Sequence, residues 1–199
     1  MRLVLVRNAE RASYKSGRWS LEETELSPKG AEQSTTIADA LRGMEIDHVY
    51  VSQTRRSVAT VQPLADGRRV DIQVDKAFNP LDIGDHAGSR YEDTRRILGN
   101  DIFSELLTTP QPDKRYIAGG ETLSEMAERA WRRILELTHD ECGAQSSLVV
   151  ITHEEVIGAV LCRMSDMPLS RLWWVGWTSG HTSVCEHYAR YQAAWTVDT

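Results

Sequence analysis

Three basic side chains and one amide follow apolar runs that predict buried strands. Arg7 and Asn8 follow the run RLVLV, Arg56 lies a few residues beyond DHVYV, and His153 follows SLVVIT directly. Ligands of open α/β sheets bind at the carboxyl ends of the strands. Guanidinium groups meet phosphate or carboxylate oxygens through paired, charge-assisted hydrogen bonds. The pattern therefore predicts an anion site built from Arg7, Arg56 and a protonated His153, with Asn8 beside them.

The elements that must position these residues predict an α/β fold with a mostly parallel central sheet flanked by helices. Strands are predicted over RLVLVR, DHVYV, VDIQV and SLVVIT, and the tail runs TSVCEHYAR and QAAWTV predict a sheet edge. Helices are predicted after Ser27, as an N-cap, and after Thr122, which stands at capping-box spacing from Glu125. The tail aromatics Trp173 and Trp174 favour core packing over a ligand pocket.

Taken together, the motifs resemble the histidine phosphatase superfamily. RLVLVRNAE resembles its strand ending in Arg-His-Gly-Glu or Arg-His-Ala-Glu, SQTRRSVAT its Ser-Pro-Leu-x-Arg-Ala-x-Gln-Thr, and VVITHEEVIGAVL its second histidine motif. The resemblance covers roughly residues 1–65, 78–94 and 119–187. It implies a phosphoglycerate mutase-like three-layer sandwich, with residues 1–199 as one domain and a variable lid at about 90–118.

On this resemblance Arg7, Arg56 and His153 bind phosphate, and Asn8 stands at the position of the nucleophilic histidine. A nucleophile needs an available lone pair, whereas the lone pair of an amide nitrogen is delocalised into its carbonyl. Asn8 should therefore hydrogen-bond a phosphate without forming the phosphohistidine intermediate.

The position of the family's general acid also differs. Pro80 falls where many members carry the glutamate that protonates the leaving group, and this help is typically worth about 10²–10⁴ in rate. Asp82 and Asp85 are close in sequence but out of register, and Asp82 is the candidate replacement.

Two further residues near the motifs bear on the site. The tail WTSGHTSV resembles a family segment that commonly approaches the phosphate pocket, and His181 stands there where the family often has asparagine. The pair Asn8 and His181 looks exchanged, so His181 is a candidate catalytic residue; the alternative is a surface-loop residue beside Gly180. Glu154 follows His153, and its carboxylate would repel a dianionic phosphate unless it points away.

Composition limits the classes of partner. The formal net charge of −6 argues against non-specific nucleic-acid binding. Neither a membrane-spanning run nor a signal-peptide pattern is present, so we expect a cytoplasmic protein without a membrane partner. Cys142, Cys162 and Cys185 are too widely spaced for a zinc ribbon or a disulfide framework, and we expect neither a metal nor a cofactor. The sequence leaves the oligomeric state open, a homodimer included.

Three hypotheses follow from these residues. The first is a protein that binds a phosphorylated or other anionic small molecule, with phosphohistidine-based hydrolysis lost or strongly impaired. The second is an enzyme that uses the same pocket for different chemistry. The third is an active phosphomonoesterase that carries an engineered His-to-Asn change at position 8. The variable segment 90–118 has no motif that names the ligand.

Overall fold

The computed structural model describes residues 2–12, 16–67, 70–138, 146–174, 182–188 and 191–196, and the last two stretches by their backbone alone. The helices and strands occur in the order β1 (Arg2–Arg7), α1 (Pro28–Leu41), β2 (His48–Val51), α2 (Arg55–Gly67), β3 (Ile72–Val74), α3 (Tyr91–Leu98), α4 (Asn100–Thr108), α5 (Leu123–Glu136), β4 (Ser147–Thr152), α6 (Glu154–Met164), β5 (Thr182–Tyr188) and β6 (Tyr191–Thr196). Among these residues no helix is both long and apolar enough to cross a bilayer.

One six-stranded sheet carries the fold, with the strand order β3-β2-β4-β1-β5-β6. The first four strands in that order are parallel to one another, and β5 and β6 add antiparallel pairs on one side. The predicted α/β class with a mostly parallel sheet is confirmed, and so is the tail as a sheet edge. Arg7 lies opposite Thr152 in the pairing of β1 with β4, so the strand ends that carry Arg7 and His153 are neighbours.

Helices cover the sheet on both faces, which makes three layers. Successive side chains of a strand point to opposite faces, so Leu3 and Leu5 enter one apolar cluster and Val4 and Val6 the other. The first cluster is completed by buried residues of α5 and α6, and the second by those of α1 and α2. This double cover explains why β1 and β4 read as unbroken apolar runs.

The polar loop after β1 is tied to the start of α1. Ser27 caps the helix, since its Oγ accepts a hydrogen bond from the Gly30 N–H at 3.0 Å, and it donates to Glu10 Oε1 at 2.9 Å. A side chain at position 30 would collide with the carbonyl oxygen of Glu10, so glycine is required for this close approach. The chain leaving Asn8 is thus held in a fixed path. The second predicted helix start is confirmed as well, because Thr122 and Glu125 form the capping box of α5.

The strand boundaries differ slightly from prediction: β2 begins at His48 and β3 at Ile72, so both are shorter than the predicted runs. Asp47 still pairs with the start of β4, because its N–H donates to the Ser147 carbonyl oxygen at 3.1 Å and its carboxylate accepts from the Ser147 N–H at 2.7 Å. Asp47 thereby anchors the first residue of β4.

The adjacent side chains of Trp173 and Trp174 differ in burial. Trp173 packs against the cluster under α5 and α6, and its Nε1 donates to the carbonyl oxygen of Leu106 at 3.2 Å. Trp174 is 65% exposed, and the guanidinium of Arg171 lies 4.6 Å from its ring centre. Core packing is confirmed for Trp173, which also lines the cavity described below, and is wrong for Trp174.

Candidate active site

A cavity of about 330 Å³ opens at the carboxyl ends of β1 and β4. Its polar end is lined by Arg7, Asn8, Arg56 and His153, the residues that the motifs predict. His181, the remaining histidine candidate, lies outside the described residues. The charged groups of the motifs RLVLVRNAE, SQTRRSVAT and VVITHEEVIGAVL therefore meet at one edge of the sheet.

Asn8 has a rigid backbone. Its N–H extends the ladder between β1 and β4 by donating to the carbonyl oxygen of Thr152 at 2.8 Å, and the next N–H, of Ala9, donates to Thr60 Oγ1 at 3.0 Å. The residue is only 8% exposed, and its side-chain Nδ2 donates to the carbonyl oxygen of Ala9 at 3.3 Å. The position at which the resemblance places a nucleophile is buried and well fixed.

The two arginines at the start of α2 have opposite surroundings. Arg56 is 3% exposed; its Nη1 donates to the carbonyl oxygen of Leu21 at 3.0 Å, and its Nη2 lies 3.2 Å from His153 Nδ1. Burial, and more weakly the charge of Arg11, lowers the pKa of Arg56 to about 10, so it remains a cation at neutral pH. Arg55 instead pairs with Glu25 on the surface at 2.9 Å. Of these two arginines, Arg56 lines the cavity and Arg55 does not.

His153 is a neutral hydrogen-bonding residue in this structure. Since a guanidinium can only donate, His153 Nδ1 accepts from Arg56, and the ring proton is placed on Nε2, which lies 2.9 Å from Ser52 Oγ. Burial, followed by the charges of Arg56, Arg129 and Arg7, lowers the pKa of His153 well below its ordinary value. A protonated His153, which would have added a third cation, is therefore not what this structure holds. The cationic groups of the cavity are its arginines.

This neutral histidine should make the protein less stable in mild acid. Below about pH 6.5 the unfolded chain binds a proton at His153, whereas the folded chain does not because its pKa is lower. The free energy of unfolding therefore decreases as the pH is lowered, until the pKa of His153 in the folded protein is reached. Above that pH both states are neutral and the contribution is constant. We expect a loss of up to about 1.4 kcal/mol per pH unit from this residue. Urea unfolding of the parent and of His153→Gln between pH 7 and 5 measures it; parallel curves would contradict the expectation.

Glu154 does not point away from the cavity. Its Oε2 lies 2.9 Å from Arg7 Nη2, and both side chains are largely buried, with exposed fractions of 29% and 15%. Because the carboxylate already neutralises this guanidinium, an incoming anion must compete with Glu154 for Arg7. The sequence predicted that Glu154 would repel a dianionic phosphate unless it pointed away. In the structure Glu154 faces the cavity and forms an ion pair with Arg7.

Glu154→Gln should tighten the binding of inorganic phosphate by about fivefold, because an ion pair of this exposure is worth about 1 kcal/mol. Titration calorimetry measures the change. Glu25→Gln is the matched control, since it removes an ion pair of the same length from the exposed Arg55 and should leave affinity unaltered. Weaker phosphate binding in Glu154→Gln would show that this carboxylate helps the ligand to bind.

The loop that carries Pro80 is held by Arg129 of α5. Its Nη1 donates to the carbonyl oxygen of Ala77 at 2.7 Å and its Nη2 to that of Pro80 at 2.8 Å. The same guanidinium pairs with both carboxylate oxygens of Glu121, at 2.7 and 2.9 Å. Pro80 consequently lines the cavity at a fixed place where it has no proton to donate.

Carboxylates stand on either side of Pro80 in the cavity wall. Asp82 lines the cavity, as does Glu155, whose Oε1 accepts from the Leu81 N–H at 3.3 Å. Asp82 Oδ1 accepts from the Gly84 N–H at 2.8 Å, which fixes its orientation. Asp85 is not among the residues that line this cavity. The structure thus brings Asp82 to the site and adds Glu155, which sequence reasoning missed.

A third guanidinium was also missed. Arg11 lines the cavity, and its Nη2 donates to the carbonyl oxygen of Arg18 at 3.1 Å and to Tyr91 Oη at 3.3 Å. It is close enough for its charge to lower the pKa of Arg56, although burial contributes more. The sequence holds no signal for this residue, since Arg11 lies in a polar loop without a period.

The parallel order β3-β2-β4-β1, with arginines of β1 and α2 and a histidine after β4 at one sheet edge, defines a phosphoglycerate mutase-like α/β protein. The chain belongs to the histidine phosphatase superfamily (branch 1), whose family model matches residues 3–198. The resemblance of the motifs to this superfamily is confirmed.

Individual relatives agree with this assignment. Phosphoserine phosphatase 1 of Hydrogenobacter thermophilus is 25% identical over 185 residues, which are 92% of this chain and 85% of the relative. Adenosylcobalamin/alpha-ribazole phosphatase of Escherichia coli is 25% identical over 181 residues, 87% of this chain and 83% of that one. The solved structure of Bacillus stearothermophilus YhfR has a TM-score of 0.88 at 20% identity, covering 99% of this chain and 96% of the other. This last similarity concerns the fold.

Proposed function

We propose that the protein binds a phosphorylated or other anionic small molecule in this cavity, and that phosphohistidine-based hydrolysis is lost or strongly impaired. The observation that carries the proposal is the meeting of Arg7, Arg56 and His153 around a buried Asn8. In this proposal segment 90–118 is the lid of a single domain, because Leu106 and Tyr116 from it line the same cavity.

The charges and dipoles of the polar end suit an anion. Arg7, Arg11 and Arg56 are guanidinium groups that can form paired hydrogen bonds with phosphate oxygens. The cavity also lies at the N-terminus of α6, where His153 is the N-cap without making a side-chain cap. The N–H groups of a first helical turn favour negative charge. The phosphoserine and alpha-ribazole phosphatases among the relatives support a phosphate ester as that anion.

The chemistry of two positions argues against ordinary hydrolysis. Asn8 has no lone pair that can attack phosphorus, so the covalent intermediate does not form. Pro80 cannot protonate a leaving alkoxide, and its carbonyl oxygen is held by Arg129. A ligand would therefore be bound and released without being cleaved.

A second candidate function, a repurposed enzyme, rests on a different observation. Four carboxylates line the cavity beside the arginines, at Asp82, Glu121, Glu154 and Glu155. This is more acid and base capacity than anion binding needs, and carboxylates positioned in a cavity can transfer protons. Product analysis after long incubation with a panel of carboxylate- and phosphate-bearing metabolites distinguishes it from pure binding.

The proposal is tested by measuring binding and turnover on the same preparation. Inorganic phosphate should give a saturable calorimetric titration, while p-nitrophenyl phosphate should be bound without measurable release of nitrophenol. Turnover at ordinary enzyme rates, about 1–10³ per second, that disappears in Arg7→Ala would overturn it.

A further inference from the structure

The cavity has a second, apolar end that the anion site does not use. Its wall is formed mainly by the segment after α3 and by the chain after α6, through Leu106, Leu107, Tyr116, Ile117, Leu123 and Trp173. Leu106, Ile117 and Leu123 are buried against the rest of the protein, whereas Leu107 is 44% exposed at the rim. A cavity for inorganic phosphate alone would have no use for such a wall.

The aromatic residues of this wall have protein partners for their polar atoms. Trp173 Nε1 donates to the carbonyl oxygen of Leu106 at 3.2 Å. The hydroxyl of Tyr116 donates to Glu105 and accepts from the Gln111 N–H at 2.8 Å. What these two rings offer to a ligand is therefore chiefly carbon.

Two further aromatic residues of the cavity lining, Trp19 and Tyr91, have a similar arrangement. Trp19 Nε1 donates to Thr94 Oγ1 at 2.9 Å, and the Trp19 ring meets the Tyr91 ring edge-to-face with centroids 4.8 Å apart. Tyr91 Oη accepts from Arg11. These four aromatic residues of the lining thus present surface whose hydrogen-bonding groups have partners in the protein.

The size of the cavity fits a ligand with two parts. A protein cavity of about 150 Å³ is known to accept benzene, and this cavity measures about 330 Å³. One ring-sized group therefore leaves room for an anionic head at the arginines. Burial of such a group against carbon is favourable because it removes apolar surface from water.

We infer that the ligand carries a benzene-sized aromatic or equally compact apolar body on its anionic head, with the head at Arg7 and Arg56 and the body against Leu106, Ile117 and Trp173. The inference rests on the proposed anion site, since that site fixes the orientation of the ligand. It assigns the ligand class as aryl or compact apolar phosphate monoesters, in preference to polar ones such as glycerol phosphate.

Titration calorimetry with phosphate, phenyl phosphate and glycerol phosphate tests this inference. Phenyl phosphate should bind about tenfold more tightly than glycerol phosphate, because only its ring buries apolar surface. Leu107→Ser should reduce that ratio by severalfold. Ile97→Ser is the matched control: Ile97 is an apolar residue of α3, 69% exposed and not part of the cavity wall, so the ratio should stay as in the parent.

The possible outcomes distinguish failure of the apolar-body inference from failure of the anion-site proposal. Equal binding of phenyl phosphate and glycerol phosphate would overturn the apolar body and leave the anion site standing. Equal reduction of the ratio by Leu107→Ser and Ile97→Ser would also overturn it, since the effect would not come from the cavity. Failure of all three ligands to bind would overturn the anion site and the inference together.

Discussion

Asn8→His should convert the protein into a measurable aryl phosphatase, with hydrolysis of p-nitrophenyl phosphate at least about 10²-fold faster than in the parent. Histidine supplies the lone pair that the amide of Asn8 lacks. The backbone at this position is already fixed by the hydrogen bond to Thr152, and the arginines beside it can stabilise the charge on a transferring phosphoryl group. If the proposal is right, a nucleophilic side chain at position 8 is the only change that this gain requires.

The gain should depend on the leaving group. A nitrophenolate departs without a proton, whereas an alkoxide needs a general acid worth about 10²–10⁴ in rate. Because Pro80 provides none, Asn8→His should hydrolyse alkyl phosphates far less well. Equal rescue of both ester classes would show that a carboxylate such as Asp82 already serves as the acid. It would also favour the hypothesis of an active phosphomonoesterase with an engineered change at position 8.

Two controls make this experiment decisive. Asn8→Gln enlarges the side chain without adding a nucleophile and should remain inactive. Adding Arg7→Ala to Asn8→His should remove the gained activity, because the phosphate is no longer held. If Asn8→His were no faster than Asn8→Gln, position 8 would not be a nucleophile position in this cavity.

The placement of Arg7 beside His153 could be predicted because it follows from simple geometry. Two buried apolar runs in a parallel sheet bring their carboxyl ends to one edge, whatever lies between them in the chain. Helix starts were equally accessible, since Ser27 and the pair Thr122 and Glu125 are local signals. The structure adds the register of this pairing, in which Arg7 at the end of β1 lies opposite Thr152 at the end of β4.

The protonation state of His153 and the direction of Glu154 could not be predicted in this way. The first depends on a hydrogen bond from Arg56, which is 97 residues away in the chain, and on complete burial. The second depends on which rotamer Glu154 adopts at the start of α6, where an ion pair with Arg7 is available. Both are set by tertiary contacts between motifs, and no motif contains them.

The apolar wall was missed for a different reason. Segment 90–118 is a set of short helices and loops, so its apolar residues have no long period to follow. Leu106 and Ile117 are eleven residues apart in the chain, and both line the cavity. Sequence reasoning located the variable segment but could not predict which of its side chains line the cavity.

Arg56→Ala should weaken phosphate binding by about 10–100-fold, whereas Arg55→Ala should change it by less than about twofold. Hydrogen bonds to charged groups are worth about 1.5–3 kcal/mol, and 1.4 kcal/mol is a factor of ten. Arg55 is the matched control, because it has the same chemistry one residue earlier but pairs with Glu25 on the surface. Titration calorimetry of both variants with inorganic phosphate measures the difference.

The same substitution should change the titration of His153, which distinguishes a role in the cavity from a loss of fold. Burial remains, but the charge of Arg56 is the second cause that lowers the pKa of His153, so removing it raises that pKa. The ring should then bind a proton at higher pH in Arg56→Ala than in the parent, as measured by the histidine chemical shifts. Arg56→Lys keeps the positive charge but loses the paired N–H donors of the guanidinium. It should therefore leave the pKa of His153 low while still weakening phosphate binding. Equal affinities in the Arg55 and Arg56 variants, with His153 unshifted, would remove Arg56 from the site.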